Sequence, residues 1–193
     1  MTALAILDLG YGNVDSIRLA FARLGVEAVL TAEPAVAEAS ERLVLPGVGA
    51  AGFAMARLHD RGLVAMLKRR TAPLLGICLG MQMMFESSDE GNTALLGLVH
   101  GRVGALDPAP GRPVPHMGWT RIDEARGVGL AAGDYVYFAH SFACDDGPAT
   151  VARACYGRPI PAAIRHGNLW GAQFHPERSS AAGARFLQAF LGA

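Results

Sequence analysis

The stretch Pro73-Leu74-Leu75-Gly76-Ile77-Cys78-Leu79-Gly80-Met81-Gln82-Met83-Met84-Phe85 constrains the chain more than any other. An apolar run enters Gly-x-Cys-x-Gly, and a helix-compatible run leaves it. This is the pattern of a nucleophile elbow, with cysteine where Gly-x-Ser-x-Gly has serine. Such a corner holds the nucleophile in a strained backbone conformation between a strand and a helix. The residues two before and two after must be tiny, and Gly76 and Gly80 meet that demand. A helix beginning near Leu79 would aim its first amides at the sulfur and supply a donor for an oxyanion. The motif by itself also fits a buried structural cysteine at a Gly-rich strand end.

At 193 residues the chain reads as one domain, 1–193, long enough for a sizeable core. Apolar residues make up 51%, yet no run approaches the ~18 that a membrane span needs. The start, Met1-Thr2-Ala3-Leu4, lacks the basic segment of a signal peptide. Positive and negative side chains balance at 17 each, with no basic cluster beyond Lys68-Arg69-Arg70. Nucleic acid and anionic membrane are therefore poor partners for such a surface. Cys78, Cys144 and Cys155 are an odd number without CxxC spacing. That argues against a disulfide framework and a zinc site and fits a reducing cytoplasm, with Cys144 and Cys155 packed as small apolar residues. No spacing suggests a metal or an organic cofactor.

Strands and helices alternate through residue 88. Ala3 to Leu7 reads as a buried strand followed by the Gly-rich loop Asp8-Leu9-Gly10-Tyr11-Gly12-Asn13. Ile17, Ala20, Phe21 and Leu24 recur at helical spacing, and Gly25 stops that helix. A strand at Ala28 to Leu30, a short helix at Pro34 to Ala39 and a strand at Leu43 to Leu45 follow. Leu63, Met66 and Leu67 mark a further helix before the elbow strand. This alternation predicts a parallel sheet with right-handed crossovers. From Leu95 to Ile122 the chain is broken by Gly and Pro. Strands are then expected at Tyr135 to Phe138, Thr150 to Cys155, Ala162 to Ile164 and Leu169 to Phe174, and a closing helix around Phe186 to Leu191. Successive strands suggest an antiparallel extension of the sheet. The expected fold is flavodoxin-like α/β: a mixed sheet with a parallel core, an antiparallel extension and helices on both faces.

A cysteine nucleophile needs a base, and the base needs an orienting group. Of six histidines, His175 has the best setting, in Gln173-Phe174-His175-Pro176-Glu177-Arg178-Ser179 after an apolar strand. In an extended segment residues two apart share a side, so Glu177 can reach the ring and fix its tautomer. A lone His-Pro-Glu would be read as a solvated strand end; the upstream Gly-x-Cys-x-Gly reverses that balance.

Gly76-Ile77-Cys78-Leu79-Gly80-Met81-Gln82 and Phe174-His175-Pro176-Glu177 together resemble the class I glutamine amidotransferases, over essentially the whole chain. The resemblance implies a Cys78–His175–Glu177 triad that hydrolyses glutamine through a cysteinyl thioester. It implies oxyanion donors at Leu79 and in the Val48-Gly49 turn, and substrate contacts from Gln82, Gly47, His140 and Ser141. Leu45-Pro46-Gly47-Val48-Gly49, the loop at residues 8–13, Pro115-His116-Met117-Gly118-Trp119 and Tyr137-Phe138-Ala139-His140-Ser141-Phe142 resemble one branch of that family. This branch works in histidine biosynthesis with a cyclase subunit of (β/α)8 barrel fold. The cyclase uses the ammonia to make imidazole glycerol phosphate and aminoimidazole carboxamide ribotide. Asn13, Met117, Trp119 and Arg178 would face the partner. Three places depart from the branch pattern: Asp8-Leu9-Gly10 where Asp-Tyr-Gly is usual, Thr120 where Asn is usual and Arg178 where Lys is usual. Rival readings are a glutaminase subunit of another synthase, such as the pyridoxal phosphate one, a peptidase sharing the elbow, and a non-catalytic flavodoxin-like binding module.

Overall fold

Leu4 to Leu7 form β1 (Leu4–Leu7), and every one of its residues is shielded from solvent. Such uniform burial belongs to a parallel strand covered on both faces. Leu4 and Ile6 join one apolar cluster, whereas Ala5 and Leu7 join the cluster on the opposite face. The computed structural model describes residues 3–10 and 12–193; the Met1-Thr2 start and Tyr11 of the Gly-rich loop lie outside the described residues.

Along the first half, α1 (Val14–Ala22), β2 (Val29–Thr31), α2 (Pro34–Ala39) and β3 (Arg42–Gly47) follow β1 in order. Asn13 starts α1, its Oδ1 accepting from the Ser16 amide at 3.2 Å. Pro34 opens α2, where its missing N–H costs nothing. Next come α3 (Ala51–Asp60), α4 (Leu63–Arg69), β4 (Leu74–Cys78) and the single turn α5 (Leu79–Gln82). Helix α3 is not among the elements expected from the sequence. Its buried residues Ala51, Ala54, Met55 and Leu58 do keep helical spacing, but small side chains carry half of that stripe.

Short strands β5 (Ser87–Ser88) and β6 (Thr93–Ala94) lead to β7 (Arg102–Ala105), β8 (His116–Ala125), β9 (Tyr135–His140) and β10 (Phe142–Cys144). The ten-residue β8 runs through the stretch that Gly and Pro break in the sequence. Only His116 and Ile122 of β8 are buried, so no apolar alternation announces it. The chain closes with β11 (Thr150–Cys155), β12 (Pro159–His166), β13 (Leu169–Ala172) and α6 (Ser180–Leu191).

Among the described residues the main sheet has nine strands in the order β2-β1-β3-β4-β13-β12-β11-β8-β9. From β2 to β13 the neighbours run parallel; from β13 to β9 they run antiparallel. One face is covered by α1 and α6 through Ile17, Phe21, Phe186 and Phe190, the other by α2, α3 and α4 through Ala37, Leu58 and Met66. A second sheet, β10-β7-β5-β6, flanks it. No helix among the described residues is long and apolar enough to cross a membrane. The expected mixed sheet, parallel at its core and antiparallel beyond, is the one observed.

Candidate active site

Cys78 ends β4 with φ 54° and ψ −112°, a left-handed backbone that a non-glycine residue enters only under strain. The strain persists because the corner is over-packed on both sides. A Cβ on Gly76 would meet the carbonyl of Gly80, and one on Gly80 would strike the carbonyl oxygen of Leu45 in β3. Chain crossing therefore imposes both glycines, and the thiol stands at the carboxyl end of the parallel strands.

Strand β13 lies beside β4, with Ala172 opposite Ile77. Three residues beyond that pairing the chain delivers His175. Its amide donates to the carbonyl of Tyr137 at 2.8 Å, which ties this end of the chain to β9. His175 Nδ1 lies 2.8 Å from Glu177 Oε1. The expected extended segment is replaced by one 3₁₀ turn at Pro176–Arg178. Pro176 fixes its own φ and favours the turn, which curls the carboxylate back to the ring. Ser179 Oγ donates to the carbonyl of His175 at 2.6 Å and accepts from the amide of Tyr137 at 2.9 Å, clamping the turn. Burial pushes the His175 imidazole down, but hydrogen bonds to the Cys78 sulfur and to Glu177 outweigh it and raise it to about 10. The ring is thus held as an imidazolium between a sulfur and a carboxylate.

These three side chains open into one cavity of about 520 Å³, a volume suited to an amino acid. The turn at Gly47, Val48 and Gly49 lines it, as do Leu79, Gln82, His140 and Ser141. Asn13, Met117 and Arg178 stand at the same cavity. Trp119 does not line it: it lies on β8, half exposed, and packs edge-on against Tyr137 at 6.1 Å. The Arg178 guanidinium sits 4.2 Å from the centre of the Tyr137 ring.

Two residues expected to contact substrate, His140 and Gln82, line the cavity and are also hydrogen-bonded within the protein. His140 is buried, and both its ring nitrogens are already engaged: Nε2 lies 3.1 Å from His116 Nδ1, and Nδ1 lies 2.8 Å from the carbonyl of Phe142. A ring so committed has no nitrogen free for substrate. Gln82 is buried too, and its Nε2 donates to the Phe142 carbonyl at 2.8 Å and to Gln173 Oε1 at 2.9 Å. Gln173, absent from the candidates, places its own Nε2 3.8 Å from the Cys78 sulfur. Its signal in the sequence is its place two residues before His175, one position past the end of β13. Burial also holds the two histidines neutral, pushing His116 down to about 4 and His140 to about 3.

Residues 5–192 match the family model of the class-I glutamine amidotransferases. Imidazole glycerol phosphate synthase subunit HisH of Xylella fastidiosa is 48% identical over 195 residues, covering 99% of this chain and 98% of that protein. The subunit of the same name from Xanthomonas oryzae pv. oryzae is 46% identical with the same coverage. Among solved structures, a glutamine amidotransferase superposes with a TM-score of 0.78 at 22% identity, covering 99% of this chain and all of that one. A putative GMP synthase subunit from Thermoplasma acidophilum follows with 0.74 at 18% identity, covering 98% and 92%. At those identities the two structures speak for the fold alone. The chain belongs to the class-I glutamine amidotransferases, in the group formed by the HisH subunits of imidazole glycerol phosphate synthase.

Proposed function

We propose that this chain hydrolyses glutamine at Cys78 and hands the ammonia to a cyclase subunit in histidine biosynthesis. The observation that carries the reading is the strained Cys78 facing a His175–Glu177 pair inside one amino-acid-sized cavity. With the Cys78 thiol proton passed to His175, the sulfur adds to the side-chain carbonyl carbon of glutamine, and the carbonyl electrons move to oxygen. The backbone amide of Leu79 receives that oxyanion, with the Val48-Gly49 turn supplying the second donor. As the intermediate collapses the C–N bond breaks, and the imidazolium of His175 gives its proton to the departing nitrogen. Ammonia and a thioester result. His175 then takes a proton from water, the oxygen adds to the thioester carbon, and the C–S bond breaks to leave glutamate. Glu177 keeps the ring oriented throughout.

Ammonia released into neutral water is mostly protonated and no longer a nucleophile, so it must pass directly to its user. Met117, Trp119 and Tyr135 are 64%, 51% and 57% exposed on neighbouring strands, and with Met117 also lining the cavity this exposed apolar set suits a partner surface. With Asn13 and Arg178 it frames the face on which a barrel-shaped cyclase would sit. Three free cysteines accord with a reducing compartment such as the cytoplasm.

The test is Cys78→Ala in the complex with the cyclase. Glutamate release should vanish while the complex still makes product from added ammonium, because the thiol serves only ammonia production. Glutamate formation at the native rate by the variant overturns the reading.

A further inference from the structure

One main-chain carbonyl sets the polarity of a hydrogen-bonded chain that ends at the nucleophile. A carbonyl oxygen can only accept, so each group that meets Phe142 O must present a hydrogen. Its two contacts are His140 Nδ1 and the side-chain amide of Gln82, each at 2.8 Å. The Gln82 atom there must be the nitrogen. Its second hydrogen points to Gln173 at 2.9 Å, so the Gln173 atom it meets must be the oxygen. By elimination the Gln173 nitrogen faces the Cys78 sulfur at 3.8 Å. Gln173 is buried completely and cannot exchange this arrangement for water.

The other arm runs outward with the same logic. Protonated at Nδ1 and neutral, His140 offers Nε2 as an acceptor to His116 Nδ1–H. His116 Nε2 then accepts from the Thr120 hydroxyl at 2.7 Å. The His116 ring packs against Phe138 at 4.8 Å and Tyr156 at 3.8 Å, and partners on both its nitrogens set which way round it lies. Every polar group from Thr120 to Gln173 thus has one orientation.

We propose that Gln173 is a further catalytic residue, whose side-chain N–H donates to the sulfur of Cys78. The proposal rests on the reading of Cys78 as nucleophile and deepens it. Once the thiol proton has passed to His175, the donor stabilises the negative charge left on sulfur. In attack that electron pair becomes the C–S bond of the thioester, and the hydrogen bond weakens. When water's oxygen adds and the C–S bond breaks, the pair returns to sulfur, and the N–H receives it. Gln82, held by the same carbonyl, keeps the donor aimed, so Gln82 acts on the sulfur as a positioning residue in addition to lining the cavity.

Two substitutions isolate the donor. Gln173→Glu has the same shape and keeps an oxygen for Gln82, but places an oxygen at the sulfur. Gln173→Met fills the volume with no donor. Iodoacetamide alkylation of Cys78, followed by peptide mass spectrometry at neutral pH, reads the sulfur without requiring glutamine to bind. Both variants should be alkylated more slowly by about tenfold or more, the scale of a hydrogen bond to a charged group. Glutamate release by the complex should fall in proportion. Melting curves check the fold; if the carboxylate unfolds the chain, the methionine variant carries the comparison. Alkylation and turnover at native rates in a folded variant overturn the assignment of Gln173. Failure of the proposed function is a separate outcome, visible as no glutamine hydrolysis by the unsubstituted complex.

Discussion

His116 and His140 face each other across the β8–β9 ladder, with Nδ1 of the first 3.1 Å from Nε2 of the second. Burial holds both rings neutral, at about 4 and about 3, whereas in the unfolded chain each takes up a proton near 6.5. Between pH 6.5 and 4 the unfolded state therefore binds more protons, and stability must fall as pH falls. His175 has the opposite sign. Raised to about 10, it contributes stability that is complete below 6.5 and is lost as pH climbs towards 10. Stability should peak near pH 6.5. Urea midpoints across pH 4 to 10 check this, and His116→Phe, which keeps the ring stack, should flatten the acid side. An unchanged acid slope in that variant would refute the assignment.

Glu177→Gln should retain more glutaminase activity than His175→Ala. In the proposed mechanism the imidazole moves protons, a contribution of ~10²–10⁴-fold, whereas the carboxylate only steadies the ring through its 2.8 Å contact. Steady-state rates of the two variants in the complex decide the point, and a reversed order would contradict this division of labour between the two side chains.

Gly80→Ala should destabilise the fold, because its Cβ would collide with the Leu45 carbonyl in the centre of the sheet. Overpacking of this kind costs ~1–3 kcal/mol or more, and backbone cannot swing aside as a side chain can. Gly147→Ala is the control, with open space around the new methyl group and an ordinary backbone conformation; it should stay within ~0.5 kcal/mol. Denaturant titration of both proteins measures the difference, and equal midpoints would show that the corner can relax.

The lone subunit should be nearly idle. In the proposed mechanism one oxyanion donor is the Leu79 amide and the second is the amide of Val48, beside Gly49 at φ +86°. Flanking glycines permit a peptide flip that other residues resist. If the Val48 amide turns inward only when the partner holds its ligand, activation should reach ~10²–10³-fold, the worth of one such donor. Glutamate release by the chain alone, with the cyclase, and with cyclase plus its ribotide ligand provides the measurement. Equal rates in all three conditions would eliminate the switch.

Local chemistry made part of this protein legible from residues alone. The Gly76-x-Cys78-x-Gly80 corner, the uniformly apolar strands of the parallel core and the His175–Glu177 pair all depend on neighbours within a few positions. Their geometry follows from steric exclusion and from how far a short turn can reach. Tertiary structure decided the rest. Strand β8 is exposed along most of its length, so its only strong sequence signals were two residues, His116 and Ile122, six positions apart. Helix α3 was hidden because alanine packs inward without the bulk that marks an apolar stripe. The polar chain from Thr120 to Gln173 joins residues separated by 24, 60 and 91 positions. Its existence depends on the register that sets His116 opposite His140 and on β9 passing the end of β4. Hydrogen-bond direction then propagates from a single carbonyl, and no spacing in the sequence encodes which carbonyl that is.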